Sequence, residues 1–124
     1  MRIFKAKAVA KFVRRERIAD ASLREAILRA ERGLIDADLG GGLIKQRVAR
    51  TGQGRSGGYR MMIAYRMGDR AIFLLGFAKN ERGNVSDDQL AALRKLASVW
   101  LQTPVREIVT AIEEGVLQEV ADED

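Results

Sequence analysis

The hydrophobic pattern of the first third of the chain is helical. Within Lys5–Arg17, apolar residues recur at the spacing of one buried helix face, with basic residues between them. A second apolar series follows Ser22 and Glu25, which have the spacing of a capping box, and it stops at Gly33. We therefore predict an N-terminal helical hairpin, preceded by a short strand at Arg2–Lys5.

After residue 42 the period changes from helical to two. Apolar and polar residues alternate in Leu43–Ala49 and again in Tyr59–Arg66, which is the pattern of strands with one buried face. Met67–Arg70 predicts a tight hairpin turn, and Ala71–Phe77 is apolar enough for a central strand. The three segments predict an antiparallel meander.

Two segments beside these strands are rich in glycine. Asp36–Gly42 ends in three glycines but lacks the Lys-Ser/Thr pair and the helix start of a phosphate-binding loop. A flexible turn that leads into a strand is therefore the favoured interpretation. Thr51–Gly58 predicts a longer loop between the first two strands of the meander.

The last third returns to a helical pattern. Ser86 and Gln89 have the spacing of a second capping box, and an apolar stripe then runs to Leu101. Thr103 and Pro104 predict the start of one more helix, with threonine as the cap and proline at the first helical position. The fold class we predict is α+β, with the N-terminal helical hairpin packed on a small antiparallel sheet and with C-terminal helices.

The composition of the 124 residues removes several classes of function. The chain has no histidine and no cysteine, which excludes a zinc finger, a disulfide framework, a thiolate nucleophile and any His-based acid-base pair. No apolar run approaches the roughly 18 residues of a membrane helix, and Met1–Lys11 has no signal-peptide core. We expect a soluble, cytoplasmic protein whose chemistry rests on Lys, Arg, Tyr, carboxylates, hydroxyls or backbone.

The net charge of +5 hides an asymmetry along the chain. Leu39–Ser86 holds nine Lys and Arg against two acidic residues, a net of +7, whereas Pro104–Asp124 has a net of −6. The basic block has the charge expected of a protein that binds a polyanion. Solvated faces of an ordinary basic protein would give the same counts, so the charge alone leaves both interpretations open.

Three basic residues on the predicted meander suit phosphate chemistry. Lys45 and Arg47 are two apart and share one face of their strand, and Arg60 points away from the apolar set of the next strand. If the apolar sets face the helices, the three side chains share the solvent face of one sheet. Guanidinium groups there would clamp a phosphodiester and offset the charge of its transition state.

A lysine close to two arginines loses its proton more readily, which suits Lys45 to act as a base. The chemistry implied is RNA cleavage through attack by the 2′-hydroxyl, with no metal, and Lys79 would complete the basic ring. The alternative is that these residues serve only as the polar face of a solvated sheet and protect its edge from aggregation.

Three motifs in this order carry a family resemblance: Gly41–Ala49, Gly54–Arg60 and Phe77–Glu81. They resemble the RelE/ParE superfamily of toxins from type II toxin-antitoxin systems, most of all its HigB-like branch, over residues from about 1 to 101. The resemblance implies a small α+β toxin that cleaves messenger RNA on the translating ribosome without a cofactor. It also implies a helix-turn-helix antitoxin from the same operon. The toxin would be bound to operator DNA only through this antitoxin.

The resemblance assigns roles to residues of this sequence. The basic residues that act on the scissile phosphate in RelE-type members correspond to Lys45, Arg47 and Arg60, our candidate catalytic set. Ser86–Leu101 contains no tyrosine to stack on the substrate as in RelE, so that role stays open. The candidate RNA-binding residues are Arg50, Arg55, Lys79, Asn80 and Arg82.

Two other members of the superfamily remain alternatives. A ParE-like toxin would poison DNA gyrase by association, and a non-catalytic member would bind the antitoxin only. In either case we divide the chain into a toxin domain at 1–103 and an acidic helical extension at 104–124. The extension either packs on the body and shields basic surface or is a plain terminal helix.

Overall fold

A computed structural model of the chain describes residues 1–50, 58–79 and 85–121. Within these ranges the chain forms six strands and four helices. In chain order they are β1 (Arg2–Ala6), α1 (Lys7–Glu16), α2 (Asp20–Glu31), β2 (Ala37–Gly40), β3 (Leu43–Val48), β4 (Tyr59–Arg66), β5 (Arg70–Ala78), α3 (Asp87–Gln102), α4 (Val105–Glu113) and β6 (Leu117–Glu119).

All six strands belong to one sheet of order β2-β3-β4-β5-β1-β6. Every neighbouring pair is antiparallel except β1 and β5, which run parallel. The α+β class and the β3-β4-β5 meander are therefore confirmed. The predicted arrangement of a helical hairpin on a small antiparallel sheet is matched only in part, because the short N-terminal strand, β1, is inserted in a six-stranded sheet between β5 and β6 before α1 and α2 form.

The sheet is buried on both faces. The α1–α2 face carries Ile44, Val48, Tyr59, Met61, Ile63 and Phe73, which pack against the two N-terminal helices. The α3–α4 face carries Leu43, Met62, Ala64, Ile72 and Phe77, which pack against the two later helices. The expectation that Lys45, Arg47 and Arg60 share a solvent face of the sheet was wrong for most of that face, because the residues that alternate with the first apolar set are themselves mostly apolar.

The turn between β2 and β3 explains the run of three glycines. Gly40, Gly41 and Gly42 have φ values of 86°, 65° and 86°, a region that residues with a Cβ rarely adopt. A side chain at Gly42 would also meet Leu101 of α3 at 2.6 Å. The glycines thus form a turn into a strand, as predicted. Of the other predicted loop, Thr51–Gly58, residues 51–57 lie outside the described residues.

One of the three predicted helix starts is confirmed. Ser86 and Gln89 form the capping box, with the Gln89 amide donating to Ser86 Oγ at 3.2 Å and the Ser86 amide to Gln89 Oε1 at 3.0 Å. The Ser22 box is wrong, because α2 begins earlier, after Ala19. The Thr103 cap is also wrong, since its hydroxyl donates back to a carbonyl of α3.

The described part of the acidic tail is built into the fold. Ile108 and Ala111 of α4 are buried beneath the sheet, and β6 pairs with β1 through Phe4 and Glu119. The Lys7 amide at the start of α1 donates to the carbonyl of Val116 at 3.2 Å. In the described ranges, every helix is too short or too polar to cross a membrane.

One buried ion pair joins both ends of the chain to α2. Lys5 of β1 is 8% exposed, and its Nζ donates to Asp20 Oδ1 at 2.9 Å, while Asp20 Oδ2 accepts from the Ala121 amide at 2.9 Å. Burial alone would raise the pKa of Asp20. The bonds from Ala121 and Lys5, together with nearby positive charge, outweigh burial and hold that pKa below its ordinary value.

We predict that Asp20→Ala lowers the free energy of unfolding by about 2–3 kcal/mol at pH 7, because it leaves the buried Lys5 ammonium without its partner. Since the pKa of Asp20 is lower in the folded than in the unfolded state, its contribution is complete above about pH 4 and declines as the pH falls further. Urea unfolding at several pH values measures both effects.

The control for this substitution is Asp69→Asn, which breaks the exposed pair with Arg66 and should change stability by less than about 1 kcal/mol. Equal midpoints for Asp20→Ala and Asp69→Asn, or a difference that grows on acidification, would contradict the account of Asp20.

Candidate functional site

The register of β3 and β4 brings two arginines together. Arg47 lies directly opposite Arg60, and Lys45 lies opposite Met62 two pairs further along the same ladder. Because side chains alternate across a strand, all three basic residues lie on the α3–α4 face. Lys45, Arg47 and Arg60 thus share one face of the sheet, as the sequence predicted. They lie toward one end of the sheet, and the face as a whole is not open to solvent.

The hydrogen bonds of the Arg47 backbone indicate how close Arg47 lies to Arg60. Its amide donates to Asp36 Oδ2 at 2.7 Å and its carbonyl accepts from the Arg29 guanidinium, so both groups point away from β4. Arg47 and Arg60 are therefore a non-hydrogen-bonded pair, the type in which antiparallel Cα atoms approach to about 4.5 Å. Like charges placed opposite each other repel, so an anion between them would be stabilising.

Asp36 offsets part of this repulsion. Its Oδ1 accepts from Arg47 Nη2 at 3.0 Å, and its Oδ2 lies 3.4 Å from Arg29 Nη1. Burial alone would raise the pKa of Asp36, but the side-chain and backbone bonds from Arg47 and the charges of Arg47 and Arg29 hold it below its ordinary value. Asp36 is therefore a carboxylate at neutral pH, while the Arg47 side chain remains 45% exposed.

A buried glutamine holds Asp36 in place. Gln46 is completely buried, and its Oε1 accepts from the Asp36 amide at 2.7 Å. Its Nε2 donates to the carbonyls of Ala26 in α2 and Leu34, at 2.9 and 3.1 Å. Because these bonds satisfy the amide, Gln46 can lie in the core, where it fixes the segment before β2 against α2.

Lys45 lies beside an open groove. It is half-buried, and the groove has a volume of about 290 Å³ between the sheet and the start of α3. Within the described residues, Lys45 Nζ makes no hydrogen bond or ion pair with the protein. The groove is lined by Leu39, Lys45, Met62, Val85, Asp87 and Leu90.

The other candidate residues have different surroundings. Lys79 is exposed directly after β5, and its amide donates to the Gly58 carbonyl at 3.3 Å, at the end of the sheet where Arg60 lies. Arg50 instead turns to the α1–α2 face, where its guanidinium lies 5.1 Å from the Tyr59 ring centroid and 3.8 Å from Glu16. The remaining candidates, Arg55, Asn80 and Arg82, lie outside the described residues.

Sequence reasoning missed the groups that surround Arg47. Asp36 begins a segment whose sequence predicts only a turn. Gln46 is a polar residue on the apolar face of its strand, and alternation gives no reason for a polar residue there. Arg29 is inside α2 and only 7% exposed, a rare environment for a charged residue. A polar residue at a buried position of the apolar pattern is the one signal that could have identified Gln46.

We predict that Gln46→Leu lowers the free energy of unfolding by about 2–4 kcal/mol, because it leaves the Asp36 amide and the Leu34 carbonyl without their partner. Urea unfolding measures the loss. Gln118→Leu is the matched control, since Gln118 is exposed on β6, and it should change stability by less than about 0.5 kcal/mol. An unchanged midpoint for Gln46→Leu would contradict this account of the buried amide.

Comparison with known families agrees with the resemblance seen in the sequence. The chain matches the family model described as the RelE toxin of the RelE/RelB toxin-antitoxin system, over residues 1–120. No curated protein matches it. Because the family match spans all four helices and all six strands of the described residues, the chain belongs to the RelE toxin family.

Proposed function

We propose that this RelE-family toxin is an endoribonuclease, an mRNA interferase that cleaves translated messenger RNA on the ribosome. The observation that carries the proposal is the cross-strand pair of Arg47 and Arg60, with Lys45 on the same face. Such a pair is electrostatically unfavourable by itself and favourable around a phosphate. A toxin that acted only by association with another protein has no need to place two arginines at opposite positions of neighbouring strands.

The arginines would act on the scissile phosphodiester. Its single negative charge fits between Arg47 and Arg60, and a second negative charge develops on its oxygens as the nucleophile adds. Donors fixed in place before reaction stabilise that developing charge, which lowers the barrier of the chemical step. Asp36 keeps the Arg47 side chain close to its strand when no substrate is bound.

Lys45 is our candidate base. In its neutral form its Nζ would take the proton of the 2′-hydroxyl, whose oxygen then attacks the adjacent phosphorus. The bond to the 5′ oxygen breaks and that oxygen takes a proton from water, which leaves a 2′,3′-cyclic phosphate and a 5′-hydroxyl end. The RNA itself supplies the nucleophile, so the mechanism needs no metal ion. The groove beside Lys45 gives the ribose access to this side chain.

Membership of the RelE family implies an antitoxin partner. We propose a helix-turn-helix antitoxin from the same operon that would carry the toxin to operator DNA, and a cytoplasmic site of action, where translated messenger RNA is found. The exposed Lys79 and the predicted residues Arg55, Asn80 and Arg82 would contact RNA beyond the scissile phosphate.

We predict that Lys45→Ala combined with Arg60→Ala lowers messenger RNA cleavage by at least about 100-fold, since it removes the base and one phosphate clamp. The measurement is a map of transcript 5′ ends after induction in cells, with DNA breaks mapped in parallel. Cleavages in translated regions that disappear in the variant are the expected result.

The matched control is Arg66→Ala. Arg66 is on the same strand as Arg60, but it lies at the other end of β4 and pairs with Asp69. Cleavage should be unchanged in this variant. Full activity of the Lys45/Arg60 variant would overturn the site. DNA double-strand breaks with intact transcripts would overturn the nuclease proposal in favour of a gyrase poison.

A further inference from the structure

Among the described residues, no strand pairs with the edge of β3 beside Arg47. β2 pairs with β3 only from Ala37, opposite Lys45, through Gly40, opposite Leu43. Arg47 lies two residues beyond the last of these pairs, so its amide and carbonyl would face the edge without backbone partners. A strand whose edge groups are unpaired is held less firmly in place. A shift of the strand would misplace a residue that has to bind a phosphate.

Two side chains replace the missing strand. Asp36 accepts from the Arg47 amide at 2.7 Å, and the Arg29 guanidinium donates to the Arg47 carbonyl. Asp36 also accepts from Arg47 Nη2 at 3.0 Å, so backbone and side chain are held by the same carboxylate. Arg47 is therefore held by three hydrogen bonds, two to Asp36 and one from Arg29.

The environment of Arg29 fits this role better than a role in stability. Its side chain is only 8% exposed, and burying a guanidinium group is costly unless its donors are paired. The donors reach Glu25 at 2.8 Å, Asp36 at 3.4 Å and the Arg47 carbonyl. One of these three acceptors is the Arg47 carbonyl itself, and a second is Asp36, which also binds Arg47, so two of the three contacts of this buried guanidinium group are made at Arg47 or at its partner.

We propose that Arg29 and Asp36 are positioning residues that fix the backbone and side chain of Arg47, at its place across from Arg60 in the ladder, for phosphate binding. Neither residue contacts the substrate in this scheme, and the inference rests on the proposed nuclease function. Loss of Asp36 lets the backbone and side chain of Arg47 move, while loss of Arg29 releases the Arg47 carbonyl and one contact to Asp36.

The test is single-turnover cleavage of messenger RNA on programmed ribosomes by purified protein, at a temperature where circular dichroism shows each variant to be folded. Asp36→Ala and Arg29→Met should each slow the cleavage step by about 10- to 100-fold, with little change in the concentration that gives the half-maximal rate. Asp69→Ala, which removes an exposed carboxylate paired with Arg66, should leave the rate unchanged.

A double-mutant cycle separates positioning from a general loss of structure. If Asp36 acts through Arg47, adding Asp36→Ala to Arg47→Ala should slow cleavage less than about twofold further. The inference would be overturned, with the proposed function intact, if the unsubstituted protein cleaves RNA and the rate reductions of the two single variants multiply in the double variant. A full cleavage rate for Asp36→Ala and Arg29→Met would also overturn it. No cleavage by the unsubstituted protein would overturn the proposed function, and the inference with it.

Discussion

The register between β3 and β4 is the constraint on which the rest of the structure depends. Ile44, Val48, Tyr59 and Met61 bury one face of this ladder against α1 and α2, so a slip of one residue would turn these side chains away from that core. The same register places Arg47 opposite Arg60 on the other face. The packing that stabilises the fold therefore also fixes the geometry of the candidate site.

Burial on both faces of the sheet limits where charged residues can lie. Over most of the α3–α4 face, helices cover apolar side chains, and Arg47 and Arg60 lie where β3 ends and β4 begins. There the repulsion between Arg47 and Arg60 is offset by Asp36, which Gln46 and Arg29 hold in place. The site thus gathers positive charge from Lys45, Arg47 and Arg60 on one face, which suits a surface for an anionic substrate.

Much of the fold, and part of the site, follows from the sequence. Period-two alternation was enough to place Lys45, Arg47 and Arg60 on one face, and the capping box at Ser86 marked the start of α3. The pairing of Arg47 with Arg60 was not predictable, because alternation does not determine which residues of two strands lie opposite each other. The contacts of Asp36 and Arg29 with Arg47 depend on where β2 begins relative to β3, which is a tertiary property that no local pattern encodes.

The identity of the RNA ends made by the purified toxin on programmed ribosomes tests the central claim most directly. The account predicts a 2′,3′-cyclic phosphate on the upstream fragment and a 5′-hydroxyl on the downstream fragment, both absent with Arg60→Ala. Ends that carry a 5′-phosphate would contradict attack by the 2′-hydroxyl. An unchanged yield of fragments with Arg60→Ala would contradict the assignment of the arginine pair as the phosphate clamp.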